Sequence, residues 1–412
     1  HVHLDLAGRI PTPEETRKYL AEPAASRRSS LVSRLVSSRE FAETMAGTLH
    51  LMLMERLGDN DAWKGYLTGF ATSDRSVRDL TREVLDPGAD GVPAGAGFFL
   101  SKRLENYGQN PVDYPGLTRD VGRLFLGMDL RCAQCHDHLT VPAYKQAHYQ
   151  GLYAFTRQMV LADAAKASVS EKPVAGKVSF SSVFDMERME IGPALPGRKP
   201  LDVPEVKAGD EYSVKPDRKT KSAGVPRVPM MPLLSKAVAE DDRLARTWAN
   251  RLSRALLGKG IVESPDFDHP GNPPALPATL ETLAKALREG MPLKTWIHGL
   301  AISRLYQVAS GPSAGAGAAA FSRAAERPLP GEVLAACVET ALGGTKRDEA
   351  RLKRFRQVFG HPPREPEEGG HPSVEKALFW RNDPAVRSML APSAGNLMDR
   401  RSEEHTSELQ SH

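Results

Sequence analysis

Arg9-Ile10-Pro11-Thr12-Pro13-Glu14-Glu15 is a helix start. Thr12 is placed to cap, Pro13 suits the first helical position, and Glu15 lies three residues after the cap. Beyond it, Leu31, Leu35, Phe41, Met45, Leu49, Met52 and Leu53 recur at helical spacing, so residues 12–57 read as two or three amphipathic helices. The same pattern predicts a helix over 74–86, and the Gly/Pro-rich stretch Pro87 to Gly97 reads as a loop. Leu117, Val121, Leu124, Phe125 and Met128 predict a helix over 117–131, and another follows over 145–160.

Between 173 and 232 the character changes. Val178-Ser179-Phe180-Ser181-Ser182-Val183-Phe184 alternates as a strand does, prolines punctuate the rest, and Lys215 to Lys221 is basic. Helical patterning resumes at Asp241 with Leu244, Trp248, Leu252, Leu256 and Leu257, followed by helices over 277–289, 292–306 and 330–342. Gly311 to Ala320 is low-complexity Gly/Ala/Ser and reads as a mobile loop. The expected fold is mainly α: a helical domain over 1–165, an irregular, partly β, Pro-rich segment over 166–240, and a second helical domain over 241–400. Residues 401–412 look like a translated sequencing adapter, and the chain reads as a fragment at both ends.

Composition removes several classes. Hydrophobic content of 40% and charged content of 26% are those of an ordinary globular chain. A net charge of +4 from 55 Lys and Arg against 51 Asp and Glu does not point to nucleic acid. No apolar run approaches the roughly 20 residues of a membrane span. Three cysteines make no disulfide framework. The phosphate-cradling Gly loop, H-E-x-x-H and the G-x-G-x-x-G Rossmann fingerprint are missing, so the familiar kinase, zinc-protease and dehydrogenase classes have no support.

The chemistry is concentrated in Cys132-Ala133-Gln134-Cys135-His136-Asp137-His138, with His148 further on. C-x-x-C-H is the spacing of c-type haem attachment: two thiols add to the porphyrin vinyl groups, and the next imidazole reaches the iron. On that reading His136 is the proximal ligand, and His138, His148, Met128 and Met159 are candidates for the distal position. The competing reading is a zinc or iron site, with Cys132, Cys135, His136 or His138, and His148 completing four ligands. Asp137 could orient an imidazole in either case. The plain reading is a thiol pair or disulfide among exposed histidines.

Elsewhere, Cys337 falls on an apolar helix face and reads as an inert buried thiol. His50 and His298 read as core or helix-surface residues, and His361 and His371 as loop residues. The polar loop holding Asp266, Asp268, His269 and Asn272 reads as a turn, with a cation or sugar hydroxyl as the functional alternative.

Several stretches resemble a two-part family found mainly in planctomycetes and their relatives. It joins a cytochrome-c-associated domain of unknown function to a second domain of unknown function. Leu4-Asp5-Leu6-Ala7-Gly8-Arg9-Ile10-Pro11-Thr12-Pro13-Glu14, Phe125 to Met128, Cys132 to His138 and His148 to Leu152 match the first part. Asn250-Arg251, Leu257 to Val262, Leu300 to Gln307, Phe359 to Arg364 and Trp380-Arg381-Asn382 match the second. The resemblance implies an exported, periplasmic protein that works with a redox partner or a cytochrome domain. The chain departs from the family in having Leu139 after the second histidine, and Glu365-Pro366-Glu367-Glu368 where further cysteines are common.

Overall fold

A computed structural model describes residues 1–401 except 107–108, 175–176, 185, 208, 218, 220–221, 310–320, 326, 344–347, 365–372 and 393–395. The low-complexity stretch 311–320, His371, Glu365 to Glu368 and residues 402–412 therefore lie outside the described residues. The fold is mainly α. Among the described residues the strands form three separate two-stranded antiparallel pairs: Met159–Asp163 with Ser168–Glu171, Val178–Phe180 with Met189–Ile191, and Tyr212–Val214 with Val225–Pro226. No described helix is long and apolar enough to cross a membrane.

Tertiary contacts divide the chain into two compact units, residues 1–56 with 297–412, and residues 57–296. In the first, the expected helix start at Thr12 forms a complete capping box. The Thr12 hydroxyl accepts from Glu15 N, and the Glu15 carboxylate accepts from Thr12 N at 2.8 Å. Arg9 also donates two hydrogen bonds to Glu15, which is the largest cause holding its carboxyl down at about 2. The stretch expected to hold two or three helices folds as Pro13–Ala21, Arg27–Val36 and Arg39–Met54. Buried Asp5, near the N-terminal end, accepts from Tyr306 and pairs with Arg327, which ties the two ends of the chain into one unit. A second core patch packs Phe355, Phe379, Val386 and Met389 under helix Gly331–Ala341. Cys337 on that helix is buried, and burial raises its thiol pKa, as expected of an inert core thiol.

The second unit holds the cysteine motif. Helix Asp242–Leu257 packs against Pro277–Arg288 and Tyr114–Leu126, over a core that includes Trp248, Phe99, Phe125 and Phe155. Asn250 on this helix grips the bend that follows it, accepting from Val262 N at 2.9 Å and donating to Val262 O at 3.0 Å. Asn250→Ala is expected to cost about 2 kcal/mol, because both Val262 groups would be left buried and unsatisfied, and chemical denaturation would measure it.

Several element boundaries differ from the expectation. The helix expected over 117–131 ends at Leu126, because Gly127 adopts the left-handed conformation with φ 67°. The helix expected over 145–160 ends at Thr156 and gives way to strand Met159–Asp163. Helix Met230–Glu240 begins ahead of the expected resumption at Asp241, since Pro232 sits in its first turn, where a missing N–H removes no helical hydrogen bond.

Candidate functional site

After Gly127 the chain runs extended into the motif and is braced on both sides. Met128 bridges Phe267, Asp129 N donates to Asp266 O at 2.7 Å, and Arg119 clamps the Asp129 carboxylate with two bonds of 2.8 and 2.7 Å. Cys132–Gln134 then forms a short 3-10 turn. Ala133 points inward, into a core patch of Met128, Leu130, Val141, Tyr144 and Tyr149. With its middle residue buried, the turn holds Cys132 and Cys135 outward as free, exposed thiols.

The four nearby histidines differ in which ring nitrogen is available. His136 Nδ1 lies 2.6 Å from the Asp137 carbonyl oxygen. A carbonyl only accepts, so Nδ1 carries the proton and Nε2 keeps its lone pair for a metal. Asp137 thus orients His136 through its backbone, while its carboxylate binds Lys145 Nζ and Gln146 N, both at 2.9 Å. His138 is the reverse case. Its Nδ1 accepts from Thr140 N at 3.2 Å and Val141 N at 3.1 Å, which puts the proton of the neutral ring on Nε2. His148 Nδ1 likewise accepts from Lys145 N at 3.3 Å, closing the start of helix Gln146–Thr156, and burial followed by the Arg243 charge lowers its pKa. His269 Nδ1 accepts from Gly271 N at 3.1 Å. Of these four, His136 alone presents Nε2 in the ligating form.

The segment joining strands Val178–Phe180 and Met189–Ile191 covers this site. Val183 N donates to Cys135 O at 3.1 Å, and Gln146 Nε2 donates to Ser181 O at 3.1 Å. Gln150 Nε2 holds Gln134 O from the other side at 3.0 Å. The Phe184 ring lies against His136, with centroids 4.9 Å apart. Leu139, Val183 and Phe184 are exposed, which gives the region of the thiols an apolar character.

The two methionines named as distal candidates are buried: Met128 belongs to the core patch, and Met159 is fully enclosed. Among the described residues, no three His, Cys, Asp or Glu side chains gather closely enough to hold a metal ion. The loop with Asp266, Asp268, His269 and Asn272 has structural work. Asp266 pairs with Arg123 and Arg251, Arg246 clamps Asp268, and Asn272 donates to Glu263 O and Phe267 O. Its aromatic rings reach the site, Phe267 stacking on Tyr144 and His269 meeting the Tyr144 edge. Neither this loop nor the 178–191 hairpin carried a sequence signal that linked it to the cysteines.

Residues 1–160 match the family model PSCyt2, a protein of unknown function (DUF1549), and residues 233–408 match PSD1, a protein of unknown function (DUF1553). The cysteine motif falls in the first match and the bracing loop in the second. No curated protein and no solved structure matches the chain.

Proposed function

The chain belongs to the family that pairs a PSCyt2 domain with a PSD1 domain, and we propose that Cys132, Cys135 and His136 carry a covalent c-type haem. Its role is electron transfer, or redox support of a partner protein or cytochrome domain, outside the cytoplasm. The observation that carries this reading is the state of His136: the residue directly after the exposed thiol pair is the one whose Nε2 is free to ligate. The exposed Leu139, Val183 and Phe184 provide apolar surface of the kind a porphyrin face packs against.

Attachment asks only thiol addition of these residues. Each S–H adds across a vinyl double bond, sulfur bonding to one carbon and hydrogen to the other, with no external oxidant. The bound iron would supply one-electron chemistry. The chain holds His136 in its tautomer, keeps the thiols outward over buried Ala133, and places Phe184 beside the imidazole. A zinc or iron site built from the same cysteines with His138 and His148 fits less well, since both rings spend Nδ1 accepting backbone N–H groups.

The test is production of the chain with a c-type maturation system, followed by pyridine haemochrome spectroscopy on denatured protein. Covalent haem equimolar with the chain is expected, abolished in a Cys132→Ser/Cys135→Ser variant. Colourless protein, or haem that washes out on denaturation, would overturn the reading.

A further inference from the structure

We propose that the PSD1 segment is the obligate folding partner of the PSCyt2 segment, so that the two are interlocked halves of one protein and not separate domains. This stands apart from the haem reading and concerns what holds the cysteine turn in shape. The two sets of boundaries disagree. The family matches change over between residues 160 and 233, whereas the compact units change over after residue 56 and after residue 296. Each unit therefore contains a piece of both matches.

In the unit of residues 1–56 and 297–412, buried Asp5 from the PSCyt2 side accepts from Tyr306 and pairs with Arg327, both from the PSD1 side. Arg28 Nη2 donates to Ala301 O at 3.0 Å, and Arg364 N donates to Glu55 O at 2.9 Å. In the unit of residues 57–296 the joint is buried and charged. Arg123 donates to Asp266 at 3.0 Å, and Arg251 donates both to that carboxylate and to Arg123 O. The backbone closes beside them, with Asp129 N on Asp266 O at 2.7 Å and Asp268 N on Gly127 O at 3.0 Å. Those two bonds lie a few residues ahead of Cys132. The fit is tightest at Gly127, where a Cβ would meet the Thr247 hydroxyl at 2.9 Å.

Domain boundaries ordinarily fall where few contacts cross. Here the crossing contacts are buried. A PSCyt2 segment without PSD1 strips Arg123 of the Asp266 carboxylate and leaves the 127–129 backbone without its partners, while Asp266 loses Arg123 in return. The surface that seats PSD1 is thus the strand-like edge leading into the cysteine turn, and its partner is the acidic, aromatic Asp266-Phe267-Asp268 loop.

The experiment cuts the full chain after it has folded. A protease recognition site is inserted after Glu205, within residues 201–207, which belong to no helix or strand. The cut leaves whole the strand pairs on either side, Val178–Phe180 with Met189–Ile191 and Tyr212–Val214 with Val225–Pro226. The pieces 1–205 and 206–412 are expected to elute together in size-exclusion chromatography at the mass of the uncut chain, with unchanged circular dichroism. Parted in urea and returned singly to native buffer, piece 1–205 should exchange its amides at residues 127–131 at least about tenfold faster, and mixing with 206–412 should restore the protection. Pieces that part without denaturant, a piece 1–205 that keeps the protection alone, or a mixture that leaves it unrestored would each overturn the proposal. None of these outcomes bears on covalent haem.

Discussion

Asp120→Ala is expected to destabilise the 57–296 unit by about 3–5 kcal/mol. The Asp120 side chain is 2% exposed and lies between Arg103, 0% exposed, and Arg123, 1% exposed. Arg103 Nε donates to it at 2.8 Å and Arg123 donates at 3.1 Å. Arg123 then reaches Asp266, which also binds Arg251, so three guanidinium groups and two carboxylates alternate through the interior. Removing the central carboxylate takes from the buried Arg103 its 2.8 Å charge-assisted hydrogen bond and from Arg123 its 3.1 Å one. Denaturant titration should show the loss, and the melting temperature should fall by on the order of 10 °C. Adding Arg103→Met to Asp120→Ala should recover part of it, because the buried charge that Asp120 balanced is then gone. A double variant no more stable than Asp120→Ala would mean that the cost comes from packing and not from the buried charge.

Glu171→Gln should stabilise the protein above neutral pH by up to about 3 kcal/mol and leave it nearly unchanged near pH 5. Glu171 is 4% exposed. Burial pushes its carboxyl up to about 7, Asp86 adding to the shift, although the N–H groups of Met231 and Met230 donate to it at 2.8 and 2.7 Å and oppose it. A carboxyl raised in the folded state binds its proton more tightly there than in the unfolded chain. Its favourable contribution is therefore complete below the unfolded value of about 4.3 and disappears as pH climbs through about 7. Glutamine keeps an oxygen for the two N–H groups and never ionises. Stability curves for both proteins from pH 5 to 9 should diverge as pH rises, and a gap independent of pH would refute the assignment.

The local level of this structure was legible in the residues. Thr12-Pro13-Glu14-Glu15 closes its capping box because every partner lies within four positions. The expected helices over 277–289, 292–306 and 330–342 appear as Pro277–Arg288, Leu293–Ile302 and Gly331–Ala341, since a periodic apolar face is itself the cause of burial. Where two local signals competed, reading by period failed. Leu117 to Met128 kept helical spacing past Gly127, whose left-handed backbone stopped the helix, and the prolines around Met230 hid a helix that tolerates Pro232 in its first turn.

At the candidate site the division falls between covalent neighbours and hydrogen-bond partners. The spacing of Cys132, Cys135 and His136 is a property of the chain, so the chemistry it offers could be named before any fold was known. Which imidazole can act could not be. His136 and His138 are the same residue type two positions apart, and they differ because one Nδ1 meets a carbonyl and the other meets two backbone N–H groups. The seating of the 178–191 hairpin on Cys135, the brace from Asp266 and Phe267, and the alternation of buried arginines and aspartates likewise join residues far apart in sequence. Periodicity and spacing act over a few residues. Tautomer, burial and charge neutralisation are set by how the folded chain orients its groups: the tautomer partners lie within three positions, whereas the brace from Asp266 and Phe267 and the Arg123–Asp266 pair come from more than a hundred positions away.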